Sequence, residues 1–274
     1  MKKVLHAALW MAALIATTAS AQPVRIAGSG ANVGAITLLI AEFRKLEPGA
    51  QFAAVEAVGS EGAVKAAAAG ALHIALTSRP ITDGERALGV REIEYARTPF
   101  VIAVRSDSKI ESITGAKFAH YLESTAESGP DGVRVRPVLR PARDVDISLL
   151  KRMSAAAAPA LDEALKRPGM MIATTDKEAA DLIERTPGAI GATTLGLILA
   201  ESRRLRALPF EGATPTLAAF ESGAYPYYKR LFLVVSEKTP PSAEAKRFAE
   251  YVTSPAGKAL LQRTGHLLPP FSGA

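Results

Sequence analysis

The chain has 274 residues, no cysteine, and 33 Lys and Arg against 27 Asp and Glu, for a formal net charge of +6. Without cysteine there is no disulfide framework, no thiolate metal site and no lipobox cysteine to carry a lipid anchor. The basic excess is small, and Lys and Arg alternate with Asp and Glu rather than clustering in stripes with aromatic residues, which argues against nucleic acid as a partner.

Lys2 and Lys3 precede an apolar run from Val4 to Ala16, followed by Ala19-Ser20-Ala21 and Gln22-Pro23. A basic start, a short apolar stretch and a small-x-small site have the form of a removable secretory signal, too short for a stable span. The expected mature chain therefore begins at Gln22 in the periplasm, and loss of Lys2 and Lys3 lowers its formal net charge from +6 to +4. About 250 residues suffice for one large or two modest cores.

From Val24 the pattern is strand, glycine loop, helix: VRIAG, then SGAN, then a periodic apolar run from Val33 to Leu46 closed by Pro48-Gly49. The unit repeats as QFAAVEAV, GSEG and a helix from Ala63 to Ala69 stopped by Gly70, with HIALT as the next strand. Strands alternating with helices at this spacing predict a mostly parallel sheet covered on both faces. EIEYARTPFVIAV, from Glu92, is a long extended stretch able to leave one sheet and enter another. A short helix near Phe118 to Leu122, the strand RVRPVLR, helices at Ile147 to Met153 and Ala155 to Lys166, the strand MMIATT, a helix from Asp176 to Arg185 and the strand GAIGATT make a second unit. A second extended segment, Tyr225 to Ser236, leads to closing helices at Ala243 to Val252 and Pro255 to Arg263. Two crossings between two α/β units predict hinged lobes with a ligand cleft between them. The expected division is 1–21 signal, 22–98 with 235–274 for the first lobe, and 99–234 for the second, hinge strands included.

Gly28-Ser29-Gly30-Ala31-Asn32 lies between the first strand and the first helix, where free backbone N–H groups and the helix dipole favour an anion. A glycine turn with Ser29 as N-cap accounts for the same residues. Gly59-Ser60-Glu61-Gly62 holds the same position one unit later, and Thr77-Ser78-Arg79-Pro80 follows the next strand. Neighbouring parallel strands bring such loops to one sheet edge. In the second unit Arg140, Arg143, Asp144 and Asp146 follow a strand and precede a helix. A guanidinium at a strand end can grip two oxygens of one anion, and equally can pair with Asp144 on the surface.

Catalytic readings are weaker. GSGANVG departs from the dinucleotide fingerprint because Val33 stands where the third glycine belongs. Ser106 to Lys109 and Ser148 to Lys151 match the loose SxxK spacing without its partner motifs. His73, His120 and His266 are too scattered for a metal cluster or a triad. We expect neither enzyme activity, metal nor cofactor.

GSGAN at Gly28, VGSEG at Val58, TSRPIT at Thr77, YARTPFVIAV at Tyr95, LRPARDVD at Leu139, RTPGAIGATTL at Arg185, YPYYKRLFLVV at Tyr225 and FAEYVTSPAGKALL at Phe248, in this order, resemble the substrate-binding proteins of bacterial phosphate uptake transporters. These are type II periplasmic binding proteins. The resemblance spans nearly all of the mature chain. It implies two lobes, each a mostly parallel sheet flanked by helices, joined by two hinge strands and closing on a tetrahedral oxyanion that passes to a membrane permease of an ABC transporter. The ligand-binding set carried over or suggested by the loops is Ser29, Gly30, Ala31, Asn32, Ser60, Glu61, Gly62, Ser78, Arg79, Arg140, Arg143 and Asp144. Ala31 stands where the family has a hydroxyl residue, Glu61 replaces a small residue, and Val145 and Ile147 lie near positions the family gives to Ser or Thr. Lost donors and an added carboxylate predict weak phosphate binding. The alternative function is a periplasmic sensor subunit, with altered or lost phosphate binding, that signals through a partner protein; in either case a monomer is expected.

Overall fold

The computed structural model describes residues 22–270; the leader expected at 1–21 lies outside them. The first lobe opens with β1 (Ile26–Gly28), α1 (Gly30–Leu46), β2 (Glu56–Ala57), α2 (Ser60–Ala68), β3 (Ile74–Thr77) and the single turn α3 (Asp83–Arg86). The strand β4 (Val90–Arg105) leads into the second lobe: α4 (Gly115–Glu123), β5 (Arg136–Leu139), α5 (Val145–Met153), α6 (Ala157–Lys166), β6 (Met171–Ile172), α7 (Asp176–Arg185), β7 (Ala189–Thr194), α8 (Leu195–Ala200), β8 (Leu205–Ala207) and α9 (Leu217–Glu221). The chain returns through β9 (Tyr228–Ser236) to α10 (Ala243–Thr253) and α11 (Pro255–Arg263).

The strands run β2-β1-β3-β9-β4-β7-β5-β6, with β8 also on β4. β1 is parallel to β2 and β3, and β5 is parallel to β6 and β7, as the alternating pattern requires. The hinge strands are antiparallel. From Val90 to Pro99, β4 pairs with β9; from Phe100 onward it pairs with β7, and near its end also with β8. One continuous strand therefore belongs to both lobes, with the exchange at Pro99 and Phe100. β9 pairs with β4 from Tyr228 and with β3 from Phe232.

Each lobe has its own core. Phe100, Val101, Ile102, Phe118, Val138, Leu150, Leu161, Ile183 and Ile190 anchor the second. In the first, one face of the sheet packs on α1 and α10 through Ile26, Ile36, Leu39, Leu233 and Phe248, and the other packs on α2 through Val64, Ala67, Phe232 and Val234. β1 and β3 approach so closely that a Cβ at Gly28 would lie 2.1 Å from the Leu76 carbonyl oxygen, which is why a glycine opens the first loop.

α1 begins three residues before its periodic apolar run, because Ser29 takes the N-cap position and the polar first turn is buried as well. β2 is much shorter than the pattern QFAAVEAV suggested: it is a sheet edge, where ladder partners lie on one side alone. α8 follows β7 without a connecting residue, its entry closed by the Thr194 hydroxyl accepting from Leu197 N–H.

The ring cluster that ties the returning chain to α1 gives a stability test. Phe248 is fully buried, with ring centroids 5.5 Å from Phe43 and 5.1 Å from Phe52. Phe248→Ala should cost about 3–5 kcal/mol in urea unfolding; a loss below 1 kcal/mol would show that the closing helices add little to the first lobe.

Candidate functional site

Four helices direct their N-termini at the gap between the lobes: α1 and α2 from the first, α5 and α7 from the second. Each follows a strand or an extended segment, so their starts share one edge of the sheet, where unsatisfied N–H groups and aligned dipoles create positive potential. A cavity of about 440 Å³ opens there, lined by residues that include Ser29, Ser60, Glu61, Ser78, Arg140, Arg143, Asp144, Thr174 and Asp176. A larger cavity of about 680 Å³, bounded by Phe220, Tyr228, Lys258 and Gln262, receives none of these loops.

At the floor of the cleft Ser29 Oγ lies 3.0 Å from Ser78 Oγ and 3.1 Å from Asp176 Oδ2. With one proton on each hydroxyl, Ser29 donates to the carboxylate and accepts from Ser78. Ser60 Oγ accepts from the Ser78 N–H at 3.4 Å, which links the second and third loops. The lobes touch here: a Cβ at Gly30 would lie 2.7 Å from the backbone nitrogen of Lys177, so glycine lets the start of α1 meet the start of α7.

Arg140 is 4% exposed. Its Nη1 donates to the Ala173 carbonyl at 3.1 Å and its Nη2 to Asp144 Oδ2 at 2.6 Å, while Nη2 lies 4.0 Å from Asp176 and Nε 4.0 Å from Asp146. Nε is buried without a hydrogen-bond partner. Asp144 also caps α5, accepting from the Asp146 N–H at 2.9 Å.

Besides Asp146 of the fourth loop, the chain supplies a carboxylate and an ammonium that the loop motifs did not reveal, Asp176 and Lys229. Asp146, in the first turn of α5, is fully buried; Asp176, the first residue of α7, is 4% exposed; Lys229, on β9 opposite Thr98, is 1% exposed. The Lys229 ammonium forms ion pairs with both carboxylates, and it lies 5.6 Å from the centroid of the Phe100 ring. Thus a cation on a strand of the first lobe holds two helix starts of the second. Asp176 had been read as an ordinary helix opening and Lys229 as part of an apolar hinge strand. A lone lysine inside YYKRLFLVV was the available signal, since an unpaired ammonium is not left in such a strand.

Several expected ligand residues have other work. Asn32 is fully buried: its Nδ2 donates to the Ser29 and Thr77 carbonyls, and its Oδ1 accepts from Tyr95 O–H at 2.7 Å, so it splices the first and third loops. Ala31 lies in the core of the first lobe and Ile147 in that of the second, so neither stands in the cleft where a hydroxyl could replace it. The helical turn that brings Asp144 and Val145 to the cleft carries Ile147 inward. Val145 lines the cavity. Glu61 is exposed and paired with Lys65 at 2.6 Å, so its charge is answered chiefly on its own helix. Arg79 makes a two-pronged pair with Glu85, both contacts 2.7 Å. Arg143 and Gly62 are exposed at the rim. Among the histidines, His73 accepts from the Arg25 N–H and His266 is buried in the junction, each serving the fold.

Burial, reinforced by the neighbouring Asp176 carboxylate and only partly opposed by Lys229, pushes the Asp146 carboxyl up to about 7. For Asp176 burial acts in the same direction but loses to Lys229, Arg140 and the Ser29 hydroxyl, which hold it below the usual carboxylate range. Burial would lower Lys229, yet the two carboxylates raise it. Asp146 binds its proton more tightly in the folded than in the unfolded chain. Its contribution to stability is therefore complete below the ordinary aspartate range and is lost as pH rises from about 4 to about 7. Asp176 has the opposite sign, its contribution being lost as pH falls below the ordinary aspartate range. Relative to Asp146→Asn, whose amide does not titrate, the wild-type chain should lose of the order of a few kcal/mol between pH 4 and pH 8. Parallel pH dependences of urea unfolding for the two would show that Asp146 stays ionised throughout.

A family model described as the PBP superfamily domain matches residues 15–256. No curated protein matches the chain. Among solved structures, a protein from Clostridium perfringens described as a phosphate ABC transporter substrate-binding protein, with bound phosphate, shares 17% identity at a TM-score of 0.74, over 90% of this chain and 99% of its own. An ABC-type phosphate transport receptor from Vibrio cholerae shares 18% identity at a TM-score of 0.59, over 90% and 100%. The periplasmic molybdate-binding protein of Azotobacter vinelandii shares 12% at 0.61, over 90% and 98%. With strands exchanged between two α/β lobes and polar loops converging on the gap between them, the chain belongs to the PBP superfamily, the periplasmic-binding-protein class its loops resemble, and is a binding protein rather than an enzyme.

Proposed function

We propose that this protein captures a small oxyanion in the interlobe cleft and presents it to the permease of an ABC-type uptake system in the periplasm. The observation that carries this reading is the convergence of Ser29, Ser60, Ser78 and Arg140 on one cavity at the starts of four helices. Hydroxyl donors, a guanidinium and helix dipoles are the chemistry that holds a desolvated anion. The phosphate and molybdate named for the structural neighbours are ligands of that same class. Export by the leader, with a mature start at Gln22, is part of the proposal and is read by N-terminal sequencing of the periplasmic protein.

Asp144 and Asp176 line the cleft and Asp146 lies buried behind it, three carboxylates against Arg140 and the buried Lys229. This surplus of carboxylate favours singly charged over doubly charged ligands, and it favours the second reading, a monomeric sensor subunit with altered or lost phosphate binding. A permease and ATPase pair among the neighbouring genes supports uptake; a sensor kinase there supports the second.

Calorimetric titration of the mature protein with phosphate, sulfate, molybdate and small carboxylates tests the capture reading. We expect binding of at least one, weakened tenfold or more by Arg140→Ala, equivalent to about 1.4 kcal/mol. Retention of full affinity by Arg140→Ala places the anion elsewhere, and binding of none by a cooperatively folded wild type removes the capture function.

A further inference from the structure

The carboxylate of Asp176 lines the cavity beside Ser29, Ser78 and Arg140. It belongs to the second lobe, yet it accepts a hydrogen bond from Ser29, the N-cap residue of α1 in the first. It pairs with Lys229, which comes from the returning hinge strand, and lies 4.0 Å from the Arg140 guanidinium. The anion site proposed above draws on serine hydroxyls at helix starts and on a strand-end guanidinium. Asp176 engages one of each, and pairs with the buried Lys229 behind them.

We infer that Asp176 is an internal anion that fills the oxyanion site and latches the lobes together, so that this side chain excludes doubly charged tetrahedral ligands. The inference rests on the reading of the cleft as an anion site and deepens it by naming the residue that sets ligand charge.

Three observations support it independently of any one helix start. The Arg140 Nε, on a side chain 4% exposed, has no hydrogen-bond partner, so the site keeps a donor that its own carboxylates leave unused. The contact of the lobes is built for closure at this point: Gly30 admits the backbone of Lys177 at a distance no side chain tolerates, and Asp176 is the residue before it. Charge gives the third. The groups around Asp176 are Lys229 on β9, Arg140 after β5, Asp144 capping α5, Asp146 in its first turn, and the starts of α1 and α7. With all three carboxylates ionised these carry three negative against two positive side chains, and loss of Asp176 removes one negative charge whatever the protonation of Asp146. An entering dianion then meets a field one unit more positive, added to that of the helix starts.

The test uses the full mature protein, inorganic phosphate as probe, and Asp176→Ala, which removes both the charge and the volume; Asp176→Asn serves if the first variant does not unfold cooperatively. The variant should bind phosphate at least tenfold more tightly than the wild type by calorimetry. Without phosphate it should be more expanded in small-angle scattering, then contract on saturation. Adding Arg140→Ala to the variant should abolish the gain. If the wild type binds phosphate or sulfate and the variant binds no more tightly, Asp176 is not an internal occupant, while the anion-capture reading stands. If neither protein binds either anion, both readings fall. Equal dimensions of the two ligand-free proteins overturn the latch.

Discussion

Lys229 is the group on which the arrangement of the two lobes turns. A buried ammonium is costly unless carboxylates answer it, and here the answer comes from the first turns of two helices that belong to the other lobe. The consequence is geometric as much as energetic. Because the cation stands on a hinge strand directly opposite Thr98, and the Thr98 hydroxyl donates to the Gly265 carbonyl at 2.9 Å and accepts from the Gly196 N–H at 2.9 Å, strand crossing, closing segment and helix starts are fixed to one another. The cleft is tightly packed at its base and exposed at its rim, at Glu61, Arg143 and Ser148.

Such a cluster is poor evidence of stability, since two apolar residues packed in its place could stabilise the fold as well. Its value lies in orientation. Ion pairs with Lys229 hold α5 and α7 so that their N-termini face α1, and Asn32, bridging the first and third loops and held by Tyr95, does the same within the first lobe. The cleft is thus shaped by buried polar contacts behind the surface that a ligand meets.

The sequence showed the architecture well because periodicity and glycine loops are local. The helix starts at Asp176 and Pro255 follow from neighbouring residues alone, whereas α2 opens at Ser60, three residues before the expected Ala63, because the loop GSEG itself winds into the first turn. The three serines and Arg140 could be placed near one another because parallel strands put successive loops at one edge. Long-range electrostatics were less legible. Lys229 and Asp176 are 53 residues apart, and nothing in either segment names the other. Ala31 and Ile147 show a different limit: membership of a cleft loop does not say which face of the first helical turn a residue occupies, and both turn inward. The length of β2 depended on its place at the sheet edge, which only the assembled sheet supplies.

The first lobe is discontinuous: its sheet and helices come from residues before Phe100 and after Tyr227, whereas the second is one uninterrupted stretch between them. During synthesis the second lobe can therefore gather its core while the first still lacks β9, α10 and α11. Those last elements supply the middle strand between β3 and β4 and the ring of Phe248 that α1 packs against. Domains fold as units in the order their chain emerges, but here the earliest residues must wait for the latest. A nascent chain with α1 uncovered and its sheet open cannot complete its first lobe until translation is nearly over.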